Sequence, residues 1–180
     1  GGVHRVVQRT EGGSDMITEV IAYSDGANMP HHDFKHAAGA AIIQARTDDG
    51  IRIYEWGRYL GDQTNNISEL SGIELAVTFA NTHAPGMPLT VVTDSQYCRG
   101  ILTFDTVRER WAFKAKKNKA LIKRIRASLP PLHLFDICWV KGHSDNLLNE
   151  RADAVAKYCK ENRKDWTASY WENAGAPELA

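Results

Sequence analysis

Four acidic side chains occupy positions suited to joint chemistry. Asp25 and Asp94 each end an apolar run whose residues are typical of a buried strand. Glu69 lies in the first turn of a predicted helix, and Asp153 lies on the last predicted helix. An acid at the inward end of a central strand is costly to bury unless a cation or several donors meet it. Taken singly, each acid could instead be a helix cap, a turn residue or a solvated helix residue.

We expect these four carboxylates to share one pocket if the two strands are neighbours and both helices cover one side of the sheet. Ionised carboxylates at such short range repel one another and could not all stay charged unaided. Hard divalent cations with oxygen ligands, such as Mg²⁺, relieve this repulsion. Two such ions about 3.5–4 Å apart can activate a water and stabilise the leaving oxygen of a phosphodiester. The four acids therefore predict metal-dependent nuclease chemistry.

Nine elements must position the acids, in the order β-β-β-α-β-α-α-β-α. Strands are predicted at 18–27, 37–47, 51–60, 89–93 and 132–140, and helices at 67–82, 95–104, 106–129 and 146–162. Hairpin-linked strands followed by strands that alternate with helices predict an α/β fold, with a five-stranded mixed sheet and helices on both faces. Sites in such sheets form at strand ends beside a topological switch.

The helix that carries Glu69 has two informative features. Asn66 and Glu69 have the spacing of a capping box, so Asn66 is the predicted N-cap. Gly72 costs about 1 kcal/mol relative to alanine inside a helix. It aligns with Ala76 and Ala80, which predicts close packing of this helix against the sheet.

Composition bounds the remaining possibilities. The chain of 180 residues, 43% hydrophobic and 24% charged, is typical of one soluble domain. It contains no apolar run near the ~20 residues of a membrane span. Three cysteines without metal spacing favour free thiols in a reducing compartment, so we expect a cytoplasmic location. We also expect no membrane association and a monomer. We divide the chain into a flexible arm at 1–17, a catalytic domain at 18–163 and a tail at 164–180, whose aromatics we expect to fold back onto the domain.

Charge is neutral overall but unevenly distributed. Between residues 108 and 126 the chain carries a basic stripe of nine Lys or Arg and one Glu: Arg108, Arg110, Lys114, Lys116, Lys117, Lys119, Lys123, Arg124 and Arg126. Such a local concentration is typical of nucleic-acid binding. A solvated helix face is the alternative interpretation of this stripe.

Each of the four acids lies within a distinct sequence block. The blocks are Tyr23-Ser24-Asp25-Gly26-Ala27, Thr64-Asn65-Asn66-Ile67-Ser68-Glu69-Leu70, Thr93-Asp94-Ser95-Gln96-Tyr97, and Trp139 to Ser144 with Asn149 to Asp153. Together they resemble the signature blocks of type 1 ribonuclease H, in the same order, over about residues 18–163. The resemblance implies a ribonuclease H fold and endonucleolytic cleavage of the RNA strand of RNA/DNA hybrids with Mg²⁺ or Mn²⁺. The products would carry 3′-hydroxyl and 5′-phosphate ends.

The resemblance also assigns roles by position. Asp25, Glu69, Asp94 and Asp153 match the metal-binding catalytic acids, and His143 matches a mobile-loop histidine that assists proton transfer or product release. Further matches imply substrate contacts by Thr64, Asn65, Asn66, Gln96, Phe104 and Asn149. The asparagines and the glutamine would reach RNA 2′-hydroxyls, since amides both donate to and accept from them. Phe104 would lie in the DNA-strand groove, and the basic stripe resembles the family's basic handle.

Two departures and two alternatives accompany the resemblance. A loop containing His31, His32, Asp33 and His36 replaces the family's Gly-Asn-Pro-Gly turn. We expect a solvated loop there, with a zinc site as the alternative, and RNA contacts from that side, including Asn28, are in doubt. The basic handle is also shorter than in bacterial members. The alternative functions are a nuclease of the same fold that cuts double-stranded RNA or DNA junctions, and a non-catalytic nucleic-acid clamp.

Overall fold

One mixed sheet forms the centre of the molecule. The computed structural model describes residues 16–29, 36–142 and 145–180. The strands are β1 (Glu19–Asn28), β2 (Ala37–Thr47), β3 (Gly50–Gly61), β4 (Leu89–Thr93), β5 (Phe104–Asp105), β6 (Arg110–Trp111), β7 (Phe135–Trp139) and β8 (Trp166–Trp171). The helices are α1 (Asn65–His83), α2 (Gln96–Ile101), α3 (Lys119–Ser128) and α4 (Leu147–Asn162). The predicted element order is therefore retained, with additions.

The sheet has the strand order β7-β4-β1-β2-β3-β8. β1 pairs in parallel with β4 and β4 with β7, whereas the β1-β2-β3-β8 pairings are antiparallel. One apolar cluster packs α1, α2 and α3 on one face, and a second packs α4 on the other. The predicted mixed sheet with helices on both faces is thus confirmed. The predicted count of five strands was wrong, because β8 adds a sixth.

α1 lies unusually close to the sheet because glycines face each other across the contact. A Cβ atom on Gly72 would lie 2.6 Å from the Ala40 carbonyl oxygen and 2.8 Å from that of Asp25. On the strand side, a Cβ atom on Gly39 would lie 2.7 Å from the Gly72 nitrogen. All three contacts involve backbone atoms, which cannot rotate away. The predicted close packing of this helix is confirmed.

α1 begins differently from the prediction. Its N-cap is Thr64, whose hydroxyl accepts a hydrogen bond from the Ile67 nitrogen at 3.3 Å. Thr64 has extended backbone angles, whereas Asn66 already lies inside the helix. The predicted N-cap at Asn66 and the capping box with Glu69 were therefore wrong, and Glu69 is a buried residue with another environment.

The segment from 104 to 118 is not the predicted helix. β5 and β6 pair as a short hairpin, in which Asp105 Oδ1 accepts hydrogen bonds from the backbone nitrogens of Val107 and Arg108 at 3.0 Å each. Glu109 and Asn118 adopt left-handed backbone angles, with φ of 53° and 56°. Since neither angle is compatible with an α-helix, the helix is confined to Lys119–Ser128.

β8 is held in place by a fully buried carboxylate on β3. Glu55 accepts hydrogen bonds from Arg151 Nε at 2.6 Å and Nη2 at 2.8 Å, from Trp166 Nε1 at 2.9 Å and from Tyr170 Oη at 2.6 Å. These partners lie on α4 and β8. The aromatics of the predicted tail therefore do fold back onto the domain. In the described part of the chain, each helix is too short or too polar to cross a membrane.

Gly72→Ala tests the backbone contact beneath α1. In an exposed helix this substitution stabilises by about 1 kcal/mol. Here we expect the free energy of unfolding to fall by about 2 kcal/mol, because the new methyl group overpacks two carbonyl oxygens. Thr78→Ala, at an exposed position of the same helix, is the matched control and should be neutral or slightly stabilising. Urea denaturation measures both variants, and a Gly72→Ala protein as stable as wild type would contradict the contact.

Candidate metal centre

Three of the four predicted acids meet at one end of the sheet. Asp25 lies on β1, Glu69 in the second turn of α1, and Asp94 directly after β4. Each offers one carboxylate oxygen, and these three oxygens all lie within 4.8 Å of one another. Asp25 and Glu69 are buried, and Asp94 is half-buried. Because β1 and β4 are parallel neighbours, their carboxyl ends meet at the same edge of the sheet.

The position of Glu69 follows from the close contact beneath α1. A Cβ atom on Gly26, next to Asp25, would lie 2.4 Å from Ser68 Oγ and 2.5 Å from the Glu69 nitrogen. A larger residue after Asp25 would therefore push the helix away from the strand. The glycine in the Asp25-Gly26 pair is required to bring the two carboxylates together.

Asp94 is fixed from the neighbouring strand. Trp139 Nε1, on β7, donates a hydrogen bond to the Asp94 carbonyl oxygen at 2.9 Å. Gly142 follows that strand, and a Cβ atom on it would lie 3.2 Å from Asp94 Oδ2. The helix after Asp94 is capped by Ser95, whose Oγ accepts from the Cys98 nitrogen at 3.0 Å. Ser95 rather than Asp94 is thus the N-cap of α2.

Burial and mutual repulsion disfavour ionisation of this group. Burial, followed by the charge of Asp94, raises the pKa of Asp25 from 3.8 to about 7. Burial and the charge of Asp25 raise the pKa of Glu69 from 4.5 to about 10. Both shifts favour the protonated carboxyls over the ionised ones in the metal-free protein. A bound divalent cation would reverse both shifts, because it favours the ionised carboxylates.

The donor set fits a hard divalent cation. All three groups offer oxygen atoms, which are the ligands preferred by Mg²⁺ and similar ions. Within the described residues, Glu69 Oε2 is a buried oxygen that lacks a hydrogen-bond partner. A buried acceptor without a donor is costly, and a cation is the natural partner for it. The three acids could therefore hold a metal ion.

Asp153 lies beside this group rather than within it. It lines a small cleft together with Asp25, Asp94, Asn149 and Glu150. Its Oδ2 atom is 2.9 Å from Lys157 Nζ, one turn further along α4. Asp25, Asp94 and Asp153 therefore line one cleft, whereas the common group of carboxylate oxygens consists of Asp25, Glu69 and Asp94. Metal binding by Asp153 stays a prediction.

Asn149 is a buried polar residue on α4, one helical turn before Asp153. Its side chain is 3% exposed, and its Oδ1 atom has no hydrogen-bond partner within the residues described. Its backbone nitrogen donates to the N-cap residue Asn146 at 3.0 Å. Asn149 thus lines the cleft as a buried residue whose amide oxygen has no hydrogen-bond partner among the described residues.

The other predicted substrate residues lie on the elements that carry the acids. Thr64, Asn65 and Asn66 are exposed at the start of α1, and Gln96 is exposed as the first residue of α2. The Thr64 hydroxyl is engaged in capping, whereas the amides of the other three are at the surface. Phe104 lies further away in the β5-β6 hairpin, with its ring edge-on to Trp111 at 5.3 Å.

Two histidine predictions fall partly outside the described residues. His143 and the loop residues His31, His32 and Asp33 are not among them, so their proposed roles stay predictions. His36 is described, and its Nδ1 atom is 2.6 Å from Tyr59 Oη.

Sequence reasoning missed Glu150 and Lys157. Glu150 lines the cleft, and Lys157 forms the ion pair with Asp153. The spacing of four residues between Asp153 and Lys157 is a recognisable helical ion-pair signal. Glu150 is exposed and adjacent to Asn149 in sequence, so only the helix orientation identifies it.

Comparison with known proteins shows the family of this chain. The RNase H family profile matches residues 17–161, which is most of the chain. The chain belongs to the RNase H family. A Ribonuclease H of Dinoroseobacter shibae is 34% identical over 150 residues, which cover 78% of this chain and 90% of that protein. A Ribonuclease H of Salmonella arizonae is 32% identical over 165 residues, which cover 88% of this chain and 100% of that protein.

Solved RNase H structures share the fold. LC9-RNase H1, described as a type 1 RNase H with the type 2 active-site motif, superposes with a TM-score of 0.69 at 17% identity, over 89% of this chain and 82% of that one. RNase H1 of the archaeon Halobacterium salinarum NRC-1 gives 0.58 at 23% identity, over 80% and 98%. LC11-RNase H1 in complex with an RNA/DNA hybrid gives 0.58 at 17% identity, over 80% and 98%. The predicted resemblance to type 1 ribonuclease H is confirmed.

Glu69→Gln tests the electrostatic conflict in the metal-free protein. Because the pKa of Glu69 is raised from 4.5 to about 10, the unfolded chain ionises first, and wild type loses stability as pH rises through that window. The variant removes this loss. At pH 7.5 in EDTA we expect it to be more stable by at least about 1 kcal/mol, the equivalent of less than one pKa unit, with the difference vanishing near pH 4.

Thermal melts at several pH values measure this effect. Glu161→Gln, at an exposed position on α4, is the control and should change little. Added Mg²⁺ should raise the melting temperature of wild type more than that of Glu69→Gln. A variant less stable than wild type at pH 7.5 in EDTA would show that Glu69 is not strained in this site.

Proposed function

We propose that this chain is an endoribonuclease that hydrolyses the RNA strand of RNA/DNA hybrids. The observation that carries the proposal is the group formed by Asp25, Glu69 and Asp94, which brings three acids from distant parts of the chain within 4.8 Å. Burial and mutual repulsion disfavour their ionised forms, a cost that a bound cation would offset, and family membership provides the reaction class. The products would be 5′-phosphate and 3′-hydroxyl ends, as the sequence resemblance implies.

Magnesium is the proposed metal. Asp25, Glu69 and Asp94 would hold it, and Asp153 would join them when a second ion enters with the substrate. Mg²⁺ keeps part of its water shell and accepts a few carboxylates together with substrate phosphate oxygens, which suits an open site of this kind. When bound, the ions would supply positive charge to the scissile phosphate and its leaving oxygen. Mn²⁺ has similar ligand preferences and should substitute.

The residues around the metal centre would orient the hybrid. Asn65, Asn66 and Gln96 place exposed amides at the starts of α1 and α2, beside the acids. An amide donates to and accepts from a 2′-hydroxyl, which distinguishes RNA from DNA. Asn149 lines the neighbouring cleft and has a buried amide oxygen without a hydrogen-bond partner among the described residues. His143, by its position in the fourth block, would take up or return a proton during product release.

Recognition of the hybrid is supported by a neighbour of the same fold. LC11-RNase H1 was crystallised in complex with an RNA/DNA hybrid.

All of the acids that line the present site come from one chain, so we also propose that a monomer suffices for activity. Phe104 and the basic residues of the stripe other than Arg124, whose guanidinium is paired with Glu74, would contact the DNA strand outside the metal centre.

Asp94→Asn tests the proposed reaction. On a labelled RNA/DNA hybrid with Mg²⁺, we expect cleavage to fall at least about 100-fold, since even outer-shell partners of a metal are worth 10–100-fold. Wild type should be inactive with EDTA. Asp136→Asn, at an exposed position on β7, is the matched control and should retain activity. Unchanged thermal melting of both variants would show that the fold is intact.

Parallel reactions on double-stranded RNA and duplex DNA define the substrate. We expect cleavage of the hybrid alone. Equal cleavage of double-stranded RNA would favour the other nuclease, and binding of the hybrid without cleavage at any Mg²⁺ or Mn²⁺ concentration would favour a clamp. Wild-type activity in EDTA would contradict the metal assignment.

A further inference from the structure

A cationic cleft lies apart from the metal centre. The β5-β6 hairpin, residues 112–118 and α3 enclose an open volume of about 1170 Å³. Its lining carries six basic side chains and a single acid: Arg108, Arg110, Lys114, Lys119, Lys123, Arg126 and Asp105. Such a surplus of positive charge attracts a polyanion.

Arg126 differs from the other basic residues of the cleft. Its side chain is half-buried, and its Nε and Nη2 atoms both donate to the Ile101 carbonyl oxygen, at 2.9 and 2.8 Å. Nη2 also donates to the Phe113 carbonyl oxygen at 3.0 Å. The guanidinium lies 4.4 Å from the centre of the Trp111 ring. One side chain from α3 therefore joins the end of α2 to the segment after the hairpin.

Besides Arg126, backbone hydrogen bonds and a ring contact hold residues 111–113 against the end of α2. The Ala112 nitrogen donates to the Thr103 carbonyl oxygen at 2.8 Å, and the Phe113 nitrogen donates to that of Gly100 at 3.0 Å. The Phe113 ring covers Gly100, where an added Cβ atom would lie 2.2 Å from it. β5 and β6 contribute only two residues each, and a hairpin of this size is marginal by itself.

Trp111 contacts both Arg126 and Phe104. The two rings are paired across the hairpin and meet edge-on at 5.3 Å. One partner of Trp111 is thus the guanidinium and another is the ring predicted to contact the DNA strand. Displacement of Arg126 would release both aromatic residues.

α2 connects this arrangement to the metal centre. Gln96 begins the helix, immediately after Asp94 and Ser95, and Ile101 ends it. Six residues of α-helix span about 9 Å. Arg126 donates hydrogen bonds to the carbonyl oxygen of Ile101, the last residue of this short helix. The length of α2 therefore sets the distance between the cationic cleft and the acids.

We infer that Arg126 is a positioning residue for duplex binding: it holds the hairpin and residues 111–113 against α2, so that Phe104 and the exposed cations of the cleft face the hybrid at a fixed distance from the acids. This inference rests on the proposed function. Lysine cannot take this role, since it lacks the planar fork that donates to two carbonyl oxygens while stacking on an indole.

The test compares Arg126→Lys and Arg126→Met with Arg124→Met. Arg124 lies on the same helix, outside the lining of the cleft, and its guanidinium is paired with Glu74 on α1 at 2.7 and 2.9 Å. Its replacement removes the same charge without touching the hairpin. Cleavage of a labelled hybrid gives kcat and KM, and fluorescence anisotropy in EDTA gives the binding constant at several salt concentrations.

For both Arg126 variants we expect KM and the dissociation constant to rise about tenfold and kcat to change less than twofold. The slope of log affinity against log salt should fall by more than the roughly one unit that a single lost phosphate contact causes, because several cations are displaced together. Hydrogen exchange at the Ala112 and Phe113 amides should accelerate. Arg124→Met should match wild type within about twofold in each measurement.

Two results would overturn the inference. If Arg126→Lys binds like wild type and Arg126→Met lowers the slope by about one, Arg126 is an ordinary phosphate contact. If kcat falls with KM and the melting temperature drops sharply, its role is general stability. Failure of wild type to cleave hybrid would count against the proposed function instead, and binding and hydrogen exchange would still decide the role of Arg126.

Discussion

Direct backbone contact between α1 and the strands β1 and β2 is the constraint on which the site depends. Glycines on both sides of the interface leave no room for a side chain, so the helix lies against strand carbonyls instead of against a layer of side chains. This separation brings Glu69, on the helix, beside Asp25, on the strand. With the usual layer of side chains between a helix and a sheet, the two carboxylates would be too far apart to share a cation.

Two buried glutamates show how local donors decide the role of the same residue type. Glu55 is fully buried and accepts four hydrogen bonds from α4 and β8, so it fixes the position of the last strand. Glu69 is almost as buried, but one of its oxygens has no donor within the described residues and its nearest charged neighbours are acids. The first environment satisfies a carboxylate, whereas the second requires a cation or a proton. Glu55 therefore stabilises the fold, whereas Glu69 is available to bind a metal ion.

The sequence predicted the acids and the main elements because both depend on short-range patterns. Apolar runs ending in Asp25 and Asp94 predicted two buried strands, which the structure shows to be parallel neighbours, and helical periodicity placed Glu69 and Asp153 on helices. It failed where a side chain competes locally with the helix: Asp105 caps a turn and Glu109 adopts a left-handed conformation, so a basic segment with helical composition forms a hairpin. β8 was missed as a strand because its pairing depends on Glu55, more than a hundred residues earlier.

Paramagnetic broadening by Mn²⁺ tests most directly whether Asp25, Glu69 and Asp94 together bind a divalent cation. In a two-dimensional NMR titration, substoichiometric Mn²⁺ should first broaden the amide signals of Gly26, Leu70 and Ser95, which adjoin the three carboxylates. The Trp166 indole signal, beside the satisfied Glu55, should remain sharp, and Mg²⁺ should reverse the broadening. Broadening that instead begins at the exposed acids Asp48 and Asp49, or that spreads evenly over the surface, would contradict the account.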